Sequence, residues 1–337
     1  MSSSPADVPA ARHAQPAQPA LPGLPGASTD AGHGPAEPAL LDGVIAEATP
    51  DLVLEQPPAP AAVEAAVSSH LARLAGPERD LFACLMAAPA RVPAIQEALG
   101  AGRAGVRVAL TAGAAGPTPW SGAADPSTDL RRARHLLLDD DRVELIGVHL
   151  PLPAPDGPRS LEGPRAAALA AALLGDLDSI VPAWIEVPPA ATAALDVIAD
   201  DGAEEVALRV GDDDGHAGGI PSEAEVAVLV RRCVDLDLTV HAVGGVRDAV
   251  RTTDPLTGAE RHGLLNLLCA VRAALNGAST QEIAAVLAER RPSVLASAAR
   301  RMSQADAAVA RAFLVTVAVS DPATVLEDLR VLGLLAP

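Results

Sequence analysis

Apolar residues in this chain fall into two patterns. Short apolar runs of strand length recur between longer stretches with helical spacing. The runs are LFACLM at 81–86, VRVALT at 106–111, VELIGVHL at 143–150, AWIEV at 183–187, EVALRV at 205–210, LTVHAV at 238–243 and FLVTVAV at 313–319. Most carry apolar residues at consecutive positions, the pattern of a strand covered on both faces. Among the helical stretches, AAVEAAVSSHLARLAG predicts a helix that starts near Pro60 and stops at Gly76. SEAEVAVLVRRCV opens on Ser222 and Glu225, and STQEIAAVLAERR on Ser279 and Glu282. Both pairs have the spacing of a reciprocal capping box. The last helix, in SDPATVLEDLRVLG, has Ser320 or Asp321 to cap it, Pro322 in its first turn and Gly333 past its end.

Buried strands alternating with helices predict an α/β protein with a parallel sheet covered on both sides. The ordered length suits a (β/α)8-type, TIM-like barrel, which typically takes about 250 residues. Seven strands are visible, and residues 252–311 read as helical with no clear strand. The expectation is therefore a barrel of seven or eight strands, with an open doubly wound sheet as the alternative. Residues 1–58 are rich in Pro, Ala and Gly and predict a disordered tail. A short element in LDGVIAEA (41–48) or DLVLE (51–55) is the exception allowed there. The barrel domain is expected over 59–337.

Composition narrows the chemistry. Hydrophobic residues make up 49% of the chain, yet it has two Phe, two Trp and no Tyr, so the core must be aliphatic. The abundance of Ala, Gly, Pro and Arg points to a GC-rich bacterial genome. All 25 basic residues are Arg. Without Lys there is no Schiff-base chemistry, no Lys-anchored pyridoxal phosphate and no Walker-A lysine. Acid–base work falls to His, Asp and Glu. The net charge of −18 repels phosphate backbones and anionic lipid, so neither nucleic acid nor membrane is an expected partner. Small Arg clusters such as Arg290/Arg291 read as solvated helix faces. Cys84, Cys233 and Cys269 are far apart with no metal-ligand spacing, and Cys233 and Cys269 read as core residues. No metal and no particular cofactor is implied. The N-terminus lacks the pattern of a signal peptide, and the longest apolar run, at 166–174, is short of a membrane span, so a cytoplasmic protein is expected.

Four successive strands share one feature. Each is apolar except for one titratable residue near its C-terminal end: His149, Glu186, Arg209 and His241. That end of a parallel α/β sheet is where chemistry gathers. Glu186 and His241 are the candidate catalytic groups and Arg209 the candidate anion holder, while His149 reads as a satisfied core histidine. The alternative is a polar cluster that plugs the barrel. The loop GDDDGHAGGIP at 211–221 carries three aspartates, but their spacing is not that of a calcium loop. Gly211 and the double glycine Gly244–Gly245 allow a close backbone approach to a ligand, and Arg247 and Arg251 follow at once. His262 and Asn266 lie four apart at a helix start, where they point either at the mouth or at solvent.

At these residues the sequence resembles a family of uncharacterised bacterial and plant proteins thought to be barrel-like. The carriers are ALRVGD, HAVGGVRDAVRTTDPLTGAERHGLLN and LEDLRVLGLL. The family pattern reads K-x-R-x-G-G, then T-A-G-x-H-H-x-x-R and H-G-F-L-N. The resemblance implies that Glu186, Arg209, Gly211, Gly245, Arg251, His262, Gly263 and Asn266 occupy motif positions. This chain departs from the pattern at Ala207, where the family has Lys, at Arg247 and Asp248, where it has His-His, and at Asp212. The family brings no established activity.

Two functions follow as expectations. One is a lysine-independent lyase or isomerase acting on a small anionic metabolite, a carboxylate or phosphate. Arg209, Arg247 and Arg251 would hold the anion, and Glu186 or His241 would move a proton. The other is a catalytically degenerate barrel that serves as a ligand-binding or scaffold protein. Barrels often oligomerise, and nothing in the sequence marks an interface.

Overall fold

The computed structural model describes residues 40–48, 60–100, 105–111, 133–137, 140–151, 182–211 and 220–336. The Pro/Ala-rich segment up to residue 39, the runs at 51–55 and 166–174, and residues 212–219 with the three aspartates lie outside them. Eight parallel strands close into a barrel in the order β1-β10-β7-β6-β5-β4-β3-β2. They are β1 (Ile45–Ala48), β2 (Phe82–Ala87), β3 (Val106–Thr111), β4 (Val143–Pro151), β5 (Ala183–Val187), β6 (Glu205–Arg209), β7 (Thr239–Val246) and β10 (Leu314–Val319). Seven match the apolar runs of the sequence. The eighth, β1, comes from LDGVIAEA, so the barrel has eight strands rather than seven and draws on residues before 59.

The stretch 252–311 contributes no barrel strand. It holds a small hairpin, β8 (Thr252–Thr253) and β9 (Glu260–Arg261), and then helices at Leu264–Leu275, Thr280–Leu287, Pro292–Arg301 and Gln304–Phe313. The other helices are α1 (Pro60–Leu74), α2 (Val92–Leu99), α3 (Ala194–Asp200), α4 (Glu223–Asp235) and the C-terminal Pro322–Val331. The four after the hairpin are α5 to α8 and the last is α9. Both capping boxes form, at Ser222/Glu225 and at Ser279/Glu282. Asp321 caps α9, and Gly333 takes a left-handed φ of 65° just past it.

Outward-facing strand residues pack on the helices in two aliphatic clusters. All three cysteines are buried, and burial pushes their thiols up to about 12. Glu47 of β1 is a polar exception. It accepts hydrogen bonds from His70 at 3.0 Å and Arg73 at 2.5 Å, and so ties the shortest barrel strand to α1. A third cluster of mostly small residues includes Ala46, Cys84, Ala109, Ala207, Val243 and Ala318, with Trp184 as its one large aromatic. Trp184 reaches across to β4, where a Cβ on Gly147 would lie 2.7 Å from the indole. No helix among the described residues is long and apolar enough to cross a membrane.

Candidate active site

Thr111 is the last residue of β3, Glu186 the last but one of β5, and Arg209 the last of β6. His149 lies two residues before the end of β4. These neighbouring strand ends bring their side chains together at the C-terminal side of the barrel. Arg209 grips Glu186 side-on, with Nε to Oε1 at 2.6 Å and Nη2 to Oε2 at 3.0 Å. His149 Nε2 lies 2.9 Å from Glu186 Oε2. All four residues are buried. Burial pushes the Glu186 carboxyl up, but the Arg209 charge and the His149 hydrogen bond outweigh it and hold the group well below the usual carboxylate range.

An ionised Glu186 only accepts hydrogen bonds, so His149 must donate from Nε2. In the neutral ring Nδ1 then carries the lone pair, and it faces Thr111 Oγ1 at 3.4 Å. The groups therefore stand in the order hydroxyl, imidazole, carboxylate, guanidinium. The sequence reads His149 as a satisfied core histidine and offers Glu186 or His241 as the base. His149 is buried with a partner at each ring nitrogen, one of them Glu186, and a carboxylate held this far down is a poor proton acceptor near neutral pH.

His241 is not part of this group. β7 runs on through Gly244 and Gly245 to Val246, which makes His241 the third residue of an eight-residue strand, in its N-terminal half. Its Nδ1 lies 2.8 Å from Thr316 Oγ1, and its Nε2 lies 3.4 Å from Oε2 of Glu205, the first residue of β6. Trp184 Nε1 donates to the same Glu205 oxygen at 2.5 Å. Burial pulls the His241 imidazole below its ordinary value, and Glu205 only partly offsets this.

Arg251, His262 and Asn266 come together in a second buried cluster. Arg251 pairs with Glu223 at 2.7 Å and Glu260 at 3.2 Å, and its Nη1 lies 3.3 Å from His262 Nδ1. A guanidinium only donates, so His262 Nδ1 accepts, and Nε2 donates to the Pro221 carbonyl at 2.8 Å. His262 precedes α5 and does not share a helical face with Asn266. Asn266 is fully buried. It accepts from the Arg251 amide and donates to the carbonyls of Val286, Leu287 and Glu289 at the end of α6. These bonds fasten the rim to the outer helices and do not run to Glu186.

Gly211 and Gly244 approach each other rather than an open site. A Cβ on Gly211 would lie 1.9 Å from the Gly244 carbonyl oxygen. Gly244 and Gly245 have φ of 96° and 74°, which L side chains rarely adopt. Arg247 follows directly. It is half-buried and makes no hydrogen bond or ion pair with another described residue. Beside it the Ser320 amide donates to the Val246 carbonyl at 3.0 Å. The Ser320 hydroxyl is buried with no hydrogen-bond partner among the described residues. Sequence reasoning had assigned Ser320 only to helix capping and missed Thr111, since nothing in VRVALT marks its last residue. Among the described residues no group of three or more His, Cys, Asp or Glu is placed to hold a metal.

No protein-family model matches the chain, and no curated protein matches it. Among solved structures it is similar to the tetrameric deoxyribose phosphate aldolase of Aeropyrum pernix, at 14% identity over 74% of this chain and 91% of that one, with a TM-score of 0.39. It is also similar to a candidate deoxyribose-phosphate aldolase of Coccidioides immitis, at 11% identity over 64% of this chain and 78% of that one, with a TM-score of 0.41. At these values the likeness says nothing of the chemistry, and the barrel stands on the strand pairing itself.

Proposed function

We propose that the barrel is a lysine-independent lyase or isomerase acting on a small anionic metabolite that carries a carboxylate or phosphate. The reading rests on one observation, the buried hydrogen bond between His149 Nε2 and Glu186. It fixes an imidazole in one tautomer at the C-terminal end of the strands, with Nδ1 left as the proton acceptor. Glu186 positions that ring, and Arg209 keeps Glu186 ionised. Arg247 takes the anion, because its charge has no partner among the described residues.

The second reading, a non-catalytic ligand-binding or scaffold barrel, is favoured by Ala207. This residue stands where the resembling family has Lys. It is fully buried, paired in register with Glu186 on one side and His241 on the other. A position that would carry an amine in that family carries a methyl group here.

A thermal-shift screen of the full chain against small carboxylates and sugar phosphates separates the readings. A ligand at a hundred times its Kd stabilises a protein by about 2.7 kcal/mol. The enzyme reading expects such a ligand to shift wild type and His149→Gln but not Arg247→Ala, and expects wild type alone to convert it. A ligand bound but converted equally by wild type and His149→Gln rejects the role of His149. No shift with any ligand leaves the scaffold.

A further inference from the structure

Two chains of the same three groups lie inside this barrel. One is Thr111, His149 and Glu186 on β3, β4 and β5. The other is Thr316, His241 and Glu205 on β10, β7 and β6. They differ in where they end. Thr316 sits within β10, between Val315 and Val317, and its imidazole partner is covered by the Trp184 ring at 3.6 Å. Thr111 is the last residue of its strand, at the side of the barrel where chemistry gathers. Its register partner across the ladder is His149 itself.

We propose that Thr111 is a nucleophile activated by His149, so that the C-terminal end of the barrel takes acyl groups from activated esters. An activated hydroxyl needs a base within reach and a third group that orients the base. His149 Nδ1 is 3.4 Å from Thr111 Oγ1, a spacing usual before substrate draws such groups together. Glu186 sits 2.9 Å from the opposite ring nitrogen. When Oγ1 attacks the ester carbonyl carbon, its proton passes to Nδ1 and an oxygen–carbon bond forms. The bond from that carbon to the leaving oxygen breaks as Nδ1 hands its proton to that oxygen, so an alcohol or phenol departs and the ring is neutral again. Water then attacks the acyl-threonine while Nδ1 takes its proton, and Nδ1 returns that proton to Oγ1 as the acid leaves, which restores the hydroxyl. At each imidazolium stage the ring keeps its Nε2 hydrogen on Glu186.

This role shares His149 with the proposed function but does not need the anion site at Arg247. The test is p-nitrophenyl acetate with the full chain, read as nitrophenolate release and by peptide mass mapping of the acetyl group. Wild type and Thr111→Ser are expected to carry the acetyl at position 111, and Thr111→Val to carry none there. In His149→Gln the rate of acetylation should fall by about a hundredfold or more. Thr316 is expected to stay unmodified. If Thr111→Val does not fold, the wild-type map still decides. Acetyl on other residues but not on Thr111, or equal labelling of Thr111 in His149→Gln, overturns the proposal even if an anion binds at Arg247. Labelling of Thr111 in a protein that shifts with no anion sustains it while the anion-metabolite reading fails.

Discussion

His241 stacks face to face on Trp184, with ring centroids 3.6 Å apart and planes 17° from parallel. The stack buries the imidazole, and burial is the main force holding its proton affinity below the ordinary histidine value. The ring is therefore neutral near neutral pH and gains a charge against the indole only in acid. An imidazolium in van der Waals contact should quench the indole. The only other tryptophan is Trp120, so the measurement belongs in a Trp120→Phe background. Emission is expected to fall on acidification, with a midpoint below pH 6.5, and to stay flat in His241→Gln. A midpoint above 6.5 contradicts the burial.

The same residue sets a direction for stability against pH. His241 and His262 both have folded proton affinities pulled down, first by burial. The unfolded chain then binds more protons than the folded one once the pH drops toward 6.5. Their contribution is complete above that value and is lost as pH falls through the lower folded values, by at most about 1.4 kcal/mol per pH unit for each group. Glu186, also held down, adds a second loss below its ordinary value of 4.5. Urea midpoints at pH 7.5, 6.5 and 5.5 should therefore decline, and less steeply in His241→Gln or His262→Gln.

Gly211 and Gly244 make a contact that no side chain can enter. A Cβ on Gly244 would lie 2.4 Å from the Gly211 carbonyl oxygen, and its φ of 96° adds strain of its own. Backbone clashes cannot be relieved by a rotamer change, so Gly211→Ala and Gly244→Ala should each cost more than about 2 kcal/mol. Gly202, with φ of 83° and nothing within 4 Å of a Cβ, serves as the control. Its alanine variant should lose less in the same denaturation experiment.

Asn266 supplies a partner to four backbone groups, of which the Val286 carbonyl also accepts from the Glu289 amide. Its side chain bonds the Arg251 amide and three carbonyls at the end of α6. Leaving several buried groups unpaired costs about 1–3 kcal/mol each before relaxation. Asn266→Leu, of similar volume, should lose at least about 3 kcal/mol of unfolding free energy. Asn266→Asp should lose nearly as much, because a carboxylate cannot donate to three carbonyls. A neutral Asn266→Leu would mean that the rim does not depend on this side chain.

The strands were legible where their apolar runs were long. VRVALT and AWIEV match β3 and β5 residue for residue. β1 was allowed only as a short element in LDGVIAEA and not read as a barrel strand, because it has four residues, one of them Glu47, whose carboxylate is satisfied by His70 and Arg73 on α1. No local pattern announces a partner that far along the chain. Gly244 and Gly245 read as a turn, since glycine with positive φ usually ends a strand. Here the strand continues to Val246, which pairs with Val319, so His241 is not at its end; it stands level with Glu186 across Ala207 of the intervening β6, and its ring bonds Thr316 and Glu205 instead. Glu186, Arg209 and His149 were visible as lone titratable residues near strand ends. That such groups could satisfy one another was also readable, but which of them pair was not, because that depends on register between strands that only closure of the barrel sets.

That pairing also separates a working site from a plug. Arg209→Met strands a buried carboxylate and should cost about 3–5 kcal/mol, whereas replacing both members of a buried pair is often close to neutral. Glu186→Gln keeps an oxygen for His149 Nε2, so the double variant Glu186→Gln/Arg209→Met should recover most of the loss. The double-mutant cycle then measures the coupling directly. If Arg247 is the anion holder, the double variant should still show the thermal shift with a ligand that stabilises wild type, and should lose only conversion. If the shift disappears with Arg209, the anion sits on the guanidinium that now grips Glu186, and that pair must open to admit it.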